Sequence, residues 1–200
     1  MPVIKSKQDY RYYLAADMAM YKVEKWRRSL KYKYPTLYYQ RILRKVEYLK
    51  NTKKKKHQFL YRLLLKYYEW KRFKWGIALG LTIHPNNFGP GLKISHYGSI
   101  VVNPKARIGK NCVIHSATNI GRHKKQVPRI GNNVYIGPGA KIFGGITIGN
   151  NVTIGANAVV NKDVPDNVTI AGVPARIIKE ECVVKVIRGA ELAKKRMSAK

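Results

Sequence analysis

Five histidines and two cysteines are the side chains of this 200-residue sequence best suited to moving a proton or bonding a metal. Imidazole titrates near neutrality, so a histidine can take a proton from a hydroxyl and pass it on within one turnover. No two of His57, His84, His96, His115 and His123 lie at metal-ligand spacing, so no metal site is expected. On residue type alone each is more often a structural or solvated group than a catalytic one. His57 sits in a lysine run, His84 precedes Pro85, and His96 falls between Lys93 and Val102. His115 takes a place usually held by Gly in a repeat, and His123 lies in a basic stretch. Cys112 and Cys182 supply no disulfide framework; Cys112 reads as a buried thiol, and a reducing cytoplasm is the expected compartment.

The elements that must position these groups announce themselves by a period of six. Aliphatic residues fall at Val102, Ile108, Ile114 and Ile120, then at Ile130, Ile136, Ile142, Ile148, Ile154 and Val160. A helix repeats near 3.6 and a strand near 2, and six fits neither. It fits a hexapeptide β-helix, in which each short strand turns one aliphatic inward and three strands close one coil. Gly follows the aliphatic at Gly109, Gly121, Gly131, Gly137, Gly149 and Gly155, where it is expected to ease the corners. Small or β-branched residues recur at Ala106, Cys112, Val134, Ala140, Val152 and Ala158. One step, from Ile120 to Ile130, is ten residues long. The stretch Gly121–Arg129 must therefore loop out, either as a solvated basic loop or as a place for binding residues.

Ahead of the repeat, helices are expected over 8–31, 35–50 and about 58–73. Pro35 suits a first helical position. Tyr39, Ile42, Leu43, Val46 and Leu49 mark one apolar stripe, and Phe59, Leu60, Leu63, Leu64 and Tyr67 a second. Both read as core or subunit contact. Residues 51–57 form a charged break. The expected division is a basic, aromatic-rich helical domain over 1–78, the β-helix over 79–180 and a basic, helical or frayed tail over 181–200. The expected fold class is α+β: an N-terminal helical segment followed by a left-handed parallel β-helix. No secretory signal is evident in the first twenty residues, and no apolar stretch is long enough to span a bilayer.

The formal net charge is +30. Residues 1–75 hold 22 Lys and Arg against five Asp and Glu, with all three Trp and 12 of the 14 Tyr. Such a field attracts polyanions: nucleic acid, anionic lipid, acidic glycans or a phosphorylated cofactor.

From Ile83 to Ile178 the chain resembles the hexapeptide-repeat acyltransferases, in particular the serine acetyltransferase branch with its relatives in capsule and exopolysaccharide gene sets. The matching runs are Ile83-His84-Pro85, Gly91 to Gly98, Ile130 to Ile142, Ile154 to Val160 and Ala171 to Arg176. The resemblance implies a homotrimer with clefts between coils, acetyl-CoA as acyl donor, and His96 as general base. It implies donor contacts at Asn119, Pro138, Gly139, Ala156 and Asn157, with Arg176 and Lys179 meeting the phosphates. The chain departs from that branch in carrying Thr82 and Ser95 where aspartates are usual, and Gln126-Val127 where an Arg-His pair is usual. Thr82, Ser95 or a backbone carbonyl is then left to orient His96. Arg122, His123 or Arg129 is left to hold an acceptor carboxylate, and no residue is an evident ammonium partner. The leading expectation is an O-acetyltransferase acting on a sugar hydroxyl of a surface polysaccharide or its precursor. The alternatives are a serine O-acetyltransferase of cysteine synthesis, and a basic module that binds nucleic acid or membrane. The expected location is the cytoplasm, with the basic helices as an accessory hold on an anionic inner membrane face; nucleic acid is the less favoured partner.

Overall fold

A computed structural model describes residues 3–52 and 58–199; the lysine run 53–56 and His57 lie outside them. The helical part comprises α1 (Lys7–Met20), α2 (Leu30–Lys33), α3 (Pro35–Asn51) and α4 (Gln58–Leu79). The coil follows with β1 (Leu81–Thr82), β2 (Lys93–Ile94), β3 (Ile100–Val102), β4 (Arg107–Ile108), β5 (Val113–Ile114), β6 (Asn119–Gly121) and β7 (Arg129–Ile130). It continues with β8 (Tyr135–Ile136), β9 (Lys141–Phe143), β10 (Thr147–Ile148), β11 (Thr153–Ile154), β12 (Val159–Val160), β13 (Thr169–Gly172) and β14 (Ala175–Lys179), and α5 (Gly189–Ser198) ends the chain.

Strands three apart in sequence stack in parallel, as the period of six demands. They form three faces: β1-β3-β6-β9-β12, here face A; β4-β7-β10, face B; and β2-β5-β8-β11-β13-β14, face C. Among the described strands β14 alone runs antiparallel, closing the coil on β13. Every aliphatic of the repeat points inward: Val102, Ile108, Ile114, Ile120, Ile136, Ile142 and Ile154 are fully buried, and Ile130, Ile148 and Val160 nearly so. The small-residue positions are buried with them, Cys112 included. The result is the α+β architecture with a parallel β-helix that the sequence predicts.

Five of the six glycines after the aliphatics, all but Gly121, serve close packing rather than corner conformation. None of the six has a positive φ. At Gly109 a Cβ would sit 2.5 Å from the carbonyl oxygen of Gly131 in the next coil, so only hydrogen fits. On the edge between faces B and C four left-handed positions fall instead to asparagines. Asn111, Asn133, Asn151 and Asn167 have φ between 53° and 61°, a conformation Asn tolerates better than most residues. Their amides form a ladder down one edge at 2.8–2.9 Å.

The first expected helix stops short: α1 ends at Met20, and Lys22 turns left-handed with φ 58°. No Gly or Pro marks that break. Tertiary bonding accounts for it, because the Tyr21 hydroxyl lies 2.6 Å from Gln40 Oε1 and accepts the Ile94 N–H at 3.0 Å. The stripe on α3 is buried. The stripe on α4 is not buried within the chain, which removes the core half of its expected role as core or subunit contact. Phe59, Leu60, Leu63, Leu64 and Tyr67 are 73, 65, 49, 40 and 49% exposed, and the face continues through Trp70, Phe73 and Ile77. The opposite face of α4 packs on α3: the Tyr61 hydroxyl donates to Leu49 O at 2.6 Å, and Trp75 meets Tyr38 edge-on at 4.9 Å.

A buried ionic cluster locks helices to coil. Arg44 pairs with Asp17 and Glu47, each at 2.9 Å, and donates to the carbonyls of Phe88 and Gly89. Asp17 in turn accepts the N–H groups of Gly91 and Leu92. The C-terminal residues form α5, which packs Ala190 and Ala193 on Ala16 of α1.

Candidate functional site

His96 owes its position to an insertion. Across the corner from face C to face A, Ile114 leads to Ile120, Ile136 to Ile142 and Ile154 to Val160, each a step of six. At the first such corner the register runs from Ile94 to Val102, a step of eight. The two extra residues push His96 and Tyr97 out of the coil wall, and both are exposed. The ring of His96 is not packed inside the coil.

It opens on a cavity of about 400 Å³ between the corner and the helices. The coil supplies Lys93, Ser95, His96 and Tyr97, and the helical part supplies Tyr21, Lys22, Lys33 and Tyr34. No carboxylate is among the described residues that line it. Burial pushes the Tyr21 hydroxyl above the ordinary phenol range, so it stays neutral. A larger cavity of about 890 Å³ lies on face B, lined by Lys105, Arg107, Lys110 and Arg129. That one gathers cations but holds no imidazole or thiol, so its size does not make it the reaction centre. Of these two cavities, the smaller is the one lined by a described side chain that can exchange a proton near neutrality, His96.

Below His96 the same edge carries a column of groups. The Ser95 N–H bonds Ile114 O and the His115 N–H bonds Ile136 O, so each corner seats on the next. The ring of His115 lies 5.8 Å from that of His96 and 5.1 Å from that of Tyr135. Gly139 and Asn157 follow, with Gly139 N–H on Ser116 O and Asn157 N–H on Pro138 O. Pro138, Ala156 and Asn157 are exposed with short side chains, leaving a flat strip. Gly139 has φ +75°, and a Cβ there would run into Asn157 Oδ1. Burial, then the charge of His96 and of Lys93, hold the His115 imidazole below its ordinary pKa. His115 and Tyr135 were not expected in the site. The register that stacks the two histidines depends on the eight-residue corner, where the six-residue phase gives no guidance.

The other predicted site residues scatter within a single chain. Ser95 lines the cavity with His96. Thr82 pairs with Val101 and Asn119 with Lys141, both on face A and exposed. Arg122 and His123 stand in the expected loop, closed by reciprocal backbone bonds between His123 and Gln126. Arg129 projects from face B into the larger cavity. Arg176 and Lys179 lie on β14, the last strand of face C, five strand spacings from β2 or roughly 24 Å. The structure does not bring these two into the cavity with His96. Among the described residues no group of His, Cys, Asp and Glu could hold a metal ion, and no helix is long and apolar enough to cross a membrane.

Comparison with known proteins gives the same direction. Residues 128–162 match the family model described as bacterial transferase hexapeptide (six repeats). A serine acetyltransferase of Synechococcus elongatus is 41% identical over 107 residues, covering 51% of this chain and 44% of that protein. The chain thus spans about half the length of such relatives or less. Among solved structures, Neisseria gonorrhoeae serine acetyltransferase in complex with serine is 29% identical, with a TM-score of 0.67 over 86% of this chain and 70% of that one. A serine acetyltransferase in complex with CoA is 25% identical, with a TM-score of 0.64 over 86% and 71%. Repeat, coil and relatives together fit a hexapeptide-repeat acyltransferase of the serine acetyltransferase-like branch.

Proposed function

We propose that the chain is an O-acetyltransferase that moves the acetyl group of acetyl-CoA to a hydroxyl, with His96 as general base. The observation that carries this reading is the exposed imidazole at the head of a flat edge of small residues. His96 takes the proton as the acceptor oxygen bonds to the acetyl carbon; the C–S bond breaks, and the same imidazolium returns the proton to the thiolate. The strip of Pro138, Gly139, Ala156 and Asn157 lets an extended pantetheine arm lie against the wall with its thioester toward His96. The relative solved with CoA supports that donor.

The relatives' names favour serine as acceptor over the polysaccharide sugar that the sequence reading put first. One observation keeps a sugar hydroxyl as the second reading: the described lining has Lys22, Lys33 and Lys93 but no carboxylate to hold an ammonium. A homotrimer belongs to the same proposal. It would let the Arg122–His123 loop of one copy approach the His96 edge of the next, which one chain alone does not do. Thiol release from acetyl-CoA, measured with L-serine and with a panel of oligosaccharides, tests the acceptor. Turnover with serine supports the first reading, turnover only with sugars the second, and release with neither overturns both.

A further inference from the structure

The exposed face of α4 is a feature that acetyl transfer leaves unused. Phe59, Leu63, Trp70, Phe73 and Ile77 stand 49–73% exposed along one side of a 22-residue helix, roughly 33 Å long at 1.5 Å per residue. An apolar face of this extent on a soluble surface marks an interaction site. Arg62, Lys66, Lys71 and Lys74 flank it, and the Lys74 ammonium lies 5.3 Å over the Trp70 ring. The one acid of α4, Glu69, is already paired with Lys50.

Beside the stripe a second feature points the same way. A cavity of about 380 Å³ is lined by Arg28, Lys31, Arg41, Lys45 and Lys71 together with Tyr and Trp rings, and no carboxylate lines it among the described residues. The Arg41 guanidinium stacks 4.5 Å over Trp26, and Lys71 joins this cavity to the α4 face. Cations so gathered, with an apolar ledge alongside, match a surface whose outside is anionic and whose inside is hydrocarbon. A second copy of the chain is a poor occupant, because it would bring another segment bearing 22 Lys and Arg against five acids to the same place.

We propose that α4 lies in the headgroup layer of an anionic lipid bilayer, apolar face inserted, with the adjoining basic cavity holding lipid phosphate. The inference is independent of the acetyl-transfer reading. Co-sedimentation of the full chain at ~0.1 M salt with phosphatidylglycerol-containing vesicles and with phosphatidylcholine vesicles tests it. Wild type is expected to sediment with the anionic vesicles only. The combined variant Leu63→Ser, Trp70→Ser, Phe73→Ser keeps every charge and should bind at least tenfold more weakly, and Lys31→Gln with Lys71→Gln likewise. Trp70→Phe should keep binding while losing most of the vesicle-induced blue shift of tryptophan emission, Trp26 at the basic cavity retaining a smaller part. No binding by wild type, or undiminished binding by the serine variant, overturns the proposal. So does a native oligomer that the serine variant dissociates in sedimentation velocity, since a second copy then covers the face. Preference for duplex DNA over anionic vesicles at the same salt overturns it as well.

Discussion

The imidazoles of His96 and His115 stack on successive coils, 5.8 Å between ring centres and inclined by 46°. Two such rings disfavour a double positive charge, and Lys93 nearby adds a third. Burial is the leading cause of the lowered pKa at His115, and these charges follow.

That lowered pKa has a consequence for stability. The unfolded chain takes up a proton at His115 near the ordinary value of 6.5, whereas the folded chain does so only at lower pH. Between those values the unfolded state binds more protons, so stability falls as pH drops. Above 6.5 the penalty is absent; below the folded value it is complete. His84, lowered by burial and by Arg72 and Lys50, acts with the same sign. Thermal melts at about pH 7.5 and about pH 5.5 should show a smaller drop in Tm for His115→Gln than for wild type, and a smaller one still with His84→Gln added. Equal drops in all three would contradict the assignment.

Arg44 is fully buried between Asp17 and Glu47. Truncating it strands two carboxylates that also cap the turn before β2, through Asn86, Gly91 and Leu92 N–H groups. Arg44→Met should cost about 3–5 kcal/mol, read by chemical denaturation. A cost below about 1 kcal/mol would mean that the cluster relaxes or admits water.

Ala156 is exposed on the proposed donor edge. Ala156→Trp should leave stability within about 0.5 kcal/mol, as surface changes do, while raising KM for acetyl-CoA at least about tenfold, or roughly 1.4 kcal/mol of lost binding. An unchanged KM would move the donor off this edge.

The coil was legible because one physical rule governs it: each six-residue step must bury an aliphatic, and from Val102 to Val160 each does. Sidedness on the helices was not. The α3 and α4 stripes look alike in sequence, yet α3 buries Leu43 and Val46 whereas α4 leaves Phe59 and Ile77 in solvent. A helical period shows that a face is apolar without saying what covers it. The expectation for His96 itself rests on family likeness. Its neighbours Tyr21, Lys33 and Tyr34 come from 62 to 75 residues away in sequence. They reach it through the docking of helix on coil, which the Asp17–Arg44–Glu47 cluster fixes and no local pattern reveals.

The most direct test replaces the base. Thiol release from acetyl-CoA, with the best acceptor of the panel, should fall by about 100- to 10,000-fold in kcat for His96→Ala. KM for acetyl-CoA should change little, and Tm should hold, because the side chain is exposed. A variant that keeps turnover within about threefold of wild type, below the range such a base supplies, would place the proton acceptor elsewhere and contradict the account.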